Sequence, residues 1–210
     1  MQGIRTTHIL SVFALSVWVA LVSYGVASLL IYDSKPGQVA SAPSSIPDDL
    51  VGTGSPDRQW MLVFLHPHCP CSRATLDQLE AILVSNKQEF ECRVLIVVPP
   101  EAKPGWENGP LLERVASISG ISIERDFGGT TAIRFAAATS GQVLFYGSDR
   151  SLAFSGGITA SRGHSGECVG ARAILHLLEN KLSPTTMAPV YGCPLFNLET
   201  SCEGASQCRQ

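Results

Sequence analysis

Charge is scarce in this chain. Only 16% of its 210 residues are Asp, Glu, Lys or Arg, and the formal net charge is −3. No basic stripe is present to neutralise a phosphate backbone, so nucleic acid is not an expected partner. Internal repeats are absent as well, and with them the repeat architectures. The length leaves room for one membrane segment and one ordinary domain.

Between Ile9 and Tyr32 charge is missing altogether (ILSVFALSVWVALVSYGVASLLIY). At about 1.5 Å per residue, a helix of this length crosses the roughly 30 Å core of a bilayer. Trp18 falls mid-span, and Tyr32 stands at one end, where an interfacial aromatic is expected. A buried core helix would have to be apolar on every face. A cleaved signal peptide has a shorter apolar region, of about 7 to 15 residues, although Val39-Ala40-Ser41-Ala42 offers a small-residue cleavage site. We therefore expect a short cytoplasmic segment at 1–8 and a transmembrane helix at 9–32. Arg5 and the amino terminus precede the span, and Asp33 and Lys35 follow it. This balance orients the amino terminus inwards and the rest of the chain towards the periplasm, on the inner membrane.

Residues 33–56 are rich in Ser, Pro, Gly and Ala and lack apolar periodicity, which reads as a linker. A folded domain is expected over 57–184, followed by a cysteine-containing tail at 185–210. Seven cysteines leave at least one thiol unpaired within the chain. That many is reasonable in an oxidising compartment.

Within the domain, Trp60 to Leu65 is a continuous apolar run suited to a buried central strand. His66-Pro67-His68-Cys69-Pro70-Cys71 follows, then Leu76, Leu79, Ile82 and Leu83 at helical spacing. Cys92 to Val98 reads as a second buried strand, stopped by Pro99-Pro100. Residues 101 to 109 read as a loop, Leu111 to Ile118 as a short helix and Ile121 to Ile123 as a short strand. Thr130 to Ala138 reads as another helix. Gln142 to Tyr146 and Ser151 to Ser155 bracket a Gly-Ser-Asp-Arg turn, a hairpin signal that Gly156-Gly157 ends. A last amphipathic helix is expected from Cys168 to Leu182, with Pro184 as its stop.

A βαβ unit followed by ββα, with a cysteine motif after the first strand, resembles the thioredoxin-like superfamily from about Trp60 to Leu182. Bacterial chains with HPHCPC followed by SRA, and later GGIT and RGH, are sometimes labelled RedB. The resemblance implies an α/β, three-layer thioredoxin-like sandwich, here with an N-terminal transmembrane helix. It also implies redox-active thiols at Cys69 and Cys71. Two departures stand out. The motif is CxC where thioredoxins have CxxC, and Ala138-Thr139-Ser140-Gly141 lacks the cis-proline that precedes the hairpin in that family. In thioredoxins that proline shapes the substrate groove and keeps metals from the thiols.

Pro70 suits the first position of a helix and restricts Cys69, which would place Cys69 at the N-cap. There the unsatisfied amides and the positive helix end favour thiolate. Cys69 is then the nucleophile and Cys71 the resolving thiol, with His68 beside them as a charged neighbour or base. A disulfide between residues two apart is tight, and strain makes it more oxidising. The expected partners are protein thiols or disulfides, with no bound cofactor. An alternative takes His66, His68, Cys69 and Cys71 as a soft N/S donor set for Cu or Zn, in a metal-handling or assembly role. A third is a non-catalytic interaction domain.

Arg162 and His164, in Gly156 to His164, are candidates for binding an anionic group or substrate, against the reading of a plain glycine turn. The tail leaves two readings open. In one, Cys193, Cys202 and Cys208 belong to a structural disulfide clamp that also draws on Cys92 or Cys168; in the other, Cys193 joins the active site as a third thiol. Cys92 opens a core strand and reads as a buried small hydrophobe.

Overall fold

The computed structural model describes residues 2–39, 41–51, 58–86 and 90–196, in two compact units, 1–35 and 36–210. Cys202 and Cys208 lie outside the described residues.

The first unit is a single helix, α1 (Gln2–Ser34). Its stretch His8–Ser34 is long and apolar enough to cross a membrane, with a mean hydropathy of 2.1. Large apolar side chains from Ile9 to Tyr32 are exposed, and they follow no single stripe. Such a surface is unfavourable in water and suited to lipid. The few hydroxyls turn inward: Ser16 donates to Val12 O at 2.9 Å, and Ser28 donates to Tyr24 O at 2.8 Å.

The second unit opens with a short helix, α2 (Asp48–Val51), and then lays down the sheet. In chain order the elements are β1 (Trp60–Leu65), α3 (Ser72–Ser85), β2 (Glu91–Val98), α4 (Pro110–Ala116) and β3 (Ser122–Phe127). They continue with α5 (Thr130–Arg134), β4 (Gln142–Tyr146), β5 (Leu152–Gly157) and α6 (Val169–Leu178). The sheet order is β3-β2-β1-β4-β5. β1, β2 and β3 run parallel, while β4 pairs antiparallel with both β1 and β5. The fold is thioredoxin-like, as the element order implied.

β1 is central and buried along its length. Successive residues point to opposite faces, so both faces need apolar side chains, and an unbroken apolar run results. Met61, Val63 and Leu65 pack with Leu76, Leu79 and Ile82 of α3 and with the inner sides of α4 and α6. Trp60, Leu62 and Phe64 face the other way, onto Ala132, Phe135 and Ile46. Helices thus cover both faces of one sheet.

Several elements differ from expectation in extent. β3 is longer than Ile121–Ile123 and runs to Phe127, because an edge strand carrying Glu124 and Arg125 shows no apolar run to read. α5 stops at Arg134 rather than Ala138, since Ala136 takes a left-handed φ of 53°. α6 ends at Leu178 instead of Leu182, where Asn180 adopts a φ of 56°. Asp126 fixes the start of α5. Its carboxylate accepts the Thr131 and Ala132 amides at 2.9 and 2.8 Å.

Part of the Ser- and Pro-rich stretch is tied to the domain. Ile46 is buried, its amide donates to Arg150 O at 3.1 Å, and Tyr146 Oη donates to Pro43 O at 3.0 Å. These bonds go to main-chain carbonyls, which composition does not reveal.

Candidate functional site

His66 to Cys71 joins the end of β1 to the start of α3. Three hydroxyl and main-chain contacts, buried or part-buried, hold the turn. The His66 amide donates to Ser140 Oγ at 2.9 Å, and the Ser72 hydroxyl donates to His66 O at 3.1 Å. The two serine oxygens are 3.0 Å apart, so Ser140 is left to donate to Ser72. The cycle is closed and fully satisfied. Ser140 stands in the stretch where the family's proline is missing, and among the described residues there is no cis peptide bond.

The N-cap of α3 is Cys71, with φ −68° and ψ −21°, and not Cys69 as expected. A tight turn precedes the helix, in which the Ser72 amide donates to Cys69 O at 3.1 Å. The first regular helical bond, Thr75 N–H to Cys71 O at 3.3 Å, comes only afterwards. Pro70 therefore sits one turn ahead of the helix proper.

Cys69 finds its donors elsewhere. Burial opposes its ionisation, and the residue is 3% exposed. Hydrogen bonds led by those from the thiol and amide of Cys193, and one from the Cys71 backbone, outweigh that cost. They bring the Cys69 thiol below its ordinary value of 9.0. The Cys193 amide lies 3.4 Å from the Cys69 sulfur. Cys71 shifts the other way, raised by burial and then by the charge on Cys69. Cys193 is pushed up to about 12 by burial, by its bond to Cys69 and by the charges of Cys69 and Cys71. The Arg162 guanidinium pulls both Cys71 and Cys193 back down. Of three adjacent thiols, one is set apart as the thiolate.

The segment bearing Cys193 is a docked strand. Residues Thr186 to Ala188 run along β5, with the Ser155 amide donating to Thr186 O at 3.0 Å. The chain then passes antiparallel to residues 138–140. The Ser140 amide donates to Cys193 O at 2.8 Å, and the Leu195 amide donates to Ala138 O at 2.9 Å. Arg162 Nη1 donates to Gly192 O at 2.6 Å. The approach is close enough that a Cβ on Gly192 would lie 1.9 Å from Ser140 O. Gly156 and Gly157 have the same reason to lack side chains, since Ala188 and Pro189 cross directly over them.

The expected site residues are only partly gathered. Arg162 reaches the thiol cluster through Gly192. His164 does not, because its Nδ1 lies 2.8 Å from Arg162 O and 3.0 Å from Ser161 Oγ, within its own turn. His66 and His68 face Trp106, with ring centroids 5.2 and 4.5 Å away and near-perpendicular planes. His68 Nε2 donates to Trp106 O at 2.8 Å, and the His68 amide donates to His66 Nδ1 at 3.2 Å. Burial and the charge of His68 lower the pKa of His66. These bonds engage one nitrogen of each ring, Nδ1 of His66 and Nε2 of His68, and fix how the rings are turned. Among the described residues no three His, Cys, Asp or Glu side chains gather to hold an ion. As arranged, His66, His68, Cys69 and Cys71 are not gathered about one point.

Cys69 also lines a groove of about 300 Å³ with Pro67, His68, Pro70, Arg73, Pro110 and Leu111. No residue of the docked tail belongs to that lining. Trp106, Ser140 and the tail backbone were not singled out from the sequence. The lone tryptophan in a loop rich in Gly and Pro was the one visible signal.

No protein-family model matches the chain, and no curated protein matches it. Solved structures do. A hypothetical protein from Sinorhizobium meliloti 1021 superposes with a TM-score of 0.57 at 18% identity, covering 78% of this chain and 96% of that one. An uncharacterized conserved protein from Geobacillus kaustophilus gives 0.57 and 18%, covering 79% and 93%. A thioredoxin-like protein from Aeropyrum pernix gives 0.43 and 14%, covering 79% and 98%. The first two share the fold.

Proposed function

We propose that this chain is a membrane-tethered thiol–disulfide oxidoreductase whose domain faces the periplasm and whose nucleophile is Cys69. The observation that carries the reading is the Cys69 thiol itself. It stands at a strand-to-helix turn, hydrogen bonds led by those from Cys193 lower its pKa despite burial, and, though only 3% exposed, it borders a groove. Exchange needs those properties together, because the attacking species is the thiolate and it must be reachable.

The Cys69 thiolate attacks one sulfur of a substrate protein disulfide and forms a mixed disulfide, while the other substrate sulfur leaves as thiolate and takes up a proton. A second thiol of this chain then attacks Cys69, closing an internal disulfide and releasing the substrate's remaining sulfur. The substrate gains two electrons and the chain loses two. Cys71 is the second thiol that the motif supplies. Pro67, His68 and Arg73 border the groove through which the substrate sulfur would arrive.

The test is disulfide reduction by the full-length chain in detergent, with an insulin-type substrate and a thiol reductant. Cys69→Ser should remove the activity over background, and an unchanged rate would overturn the reading. Stoichiometric Cu(I) held tightly by the chain and lost in His68→Ala would replace it with metal handling.

A further inference from the structure

Three thiols meet at this site, and the exchange above needs only two. We infer that Cys193, carried on the docked tail, is the thiol that resolves the mixed disulfide on Cys69, in place of Cys71. The inference rests on the oxidoreductase reading and assigns the second half of its cycle.

Placement favours Cys193. Its amide donates to the Cys69 sulfur at 3.4 Å; both its thiol and that of Cys71 interact with that sulfur, so the amide contact is what sets Cys193 apart. Main-chain bonds on both sides hold it there, at Ser140 and Ala138, with Arg162 fixing Gly192. Cys71 is poorly disposed by comparison. It is the N-cap of α3, and its carbonyl already accepts the Thr75 amide. Bridging Cys69 to Cys71 must close a ring across Pro70 alone, a span that strains disulfide geometry. The tail strand is not part of a helix, so a Cys69 to Cys193 bond leaves the start of α3 intact.

The electrostatics supply an order of events. While Cys69 is a thiolate, its charge and hydrogen bond help keep Cys193 protonated. Once Cys69 is bonded to a substrate sulfur, that charge is gone, whereas the Arg162 charge remains. Cys71 and Cys193 are both relieved in this way, and Cys193, held against Cys69 by the tail, loses its proton and attacks the Cys69 sulfur. The Cys69–substrate bond breaks, the Cys69–Cys193 bond forms, and the substrate sulfur leaves and takes up a proton. The substrate disulfide is reduced by two electrons, and the Cys69/Cys193 pair is oxidised by two.

The probe is oxidised glutathione, applied to the full-length chain in detergent, with free thiols then blocked by alkylation. Trypsin leaves Cys193 on one peptide with Cys202 and Cys208, so a second cut after Glu199 is needed to separate it. We expect the Cys69 peptide linked to the Cys193 peptide, in the wild type and also in Cys71→Ser. In Cys193→Ser, glutathione should stay on Cys69 and its release should slow by about tenfold or more. A wild type linked only between Cys69 and Cys71, with release unimpaired in Cys193→Ser, overturns the inference. Cys69-dependent turnover would survive that result. A wild type in which Cys69 takes up no glutathione and reduces no disulfide sinks the oxidoreductase reading itself. Cys193→Ala, checked for an unchanged unfolding midpoint, guards against an effect of misfolding.

Discussion

The main-chain amide of Cys193 points at the sulfur of Cys69 from 3.4 Å, although 124 residues separate them in the chain. This contact joins the end of the folded domain to its first strand-to-helix turn. It also makes the chemistry of the turn depend on the tail.

Alkylation with iodoacetamide, followed residue by residue, should order the thiols. Cys69 should react with a midpoint below 9.0, and Cys71 with one above it. The same shift enters stability with a definite sign. The folded Cys69 titrates below the unfolded thiol, so its contribution is fully present above pH 9 and is lost as pH falls through the folded midpoint. Cys92 is no more exposed than Cys69 but lies inside the core cluster and borders no such groove; pushed up to about 12, it should stay unmodified until the domain unfolds.

Gly192→Ala should dislodge the tail. A methyl there would sit 1.9 Å from Ser140 O, and neither backbone has room to retreat without breaking the Ser140 and Leu195 hydrogen bonds. A loss of about 1–3 kcal/mol is expected in denaturant unfolding. The alkylation midpoint of Cys69 should rise at the same time, because two of its donors leave with Cys193. Stability lost with the midpoint unmoved would argue against the tail's influence on Cys69.

Ser140→Ala opens the cycle of hydrogen bonds under the turn. The part-buried His66 amide, which donates to Ser140 Oγ at 2.9 Å, would lose its acceptor. The cost is about 1–3 kcal/mol, read as a lower urea midpoint with an unchanged slope. Ser140→Thr, which keeps the hydroxyl, should recover part of it.

Asp126→Ala removes the carboxylate that accepts two amides at the start of α5. Thermal unfolding should register about 1–2 kcal/mol of destabilisation, with Cys69 alkylation unaffected. α5 lies on the other face of the sheet from α3, so the two readouts should separate.

The sequence made the central elements plain. β1 needs apolar residues on both faces, and α3 buries Leu76, Leu79 and Ile82 on one side; both patterns are local and periodic. The Cys69 to Cys71 motif fell at the junction for the same reason. Other features depend on contacts that leave no such trace. Pro70 is compatible with two helix registers, and the turn from Cys69 to Ser72 decides between them. The orientation of His66 and His68 is decided by Trp106, 38 residues beyond His68. The docking of the tail is written mainly in backbone hydrogen bonds. Its one sequence mark is glycine, at 156, 157 and 192, where another strand crosses too closely for a side chain.

The path of Thr186 to Ala188 along β5 has a consequence for how the protein keeps to itself. β5 ends the sheet, and the outer row of groups on an end strand is a template for a strand from any other molecule. Here that row is partly taken up, with the Ser155 amide bound to Thr186 O and Ser155 O to the Ala188 amide. A chain cut short ahead of Thr186 would bare this border and also strip Cys69 of its Cys193 cover. Crowded on a membrane surface, such chains would meet both edge to edge and sulfur to sulfur, and covalent aggregates would follow.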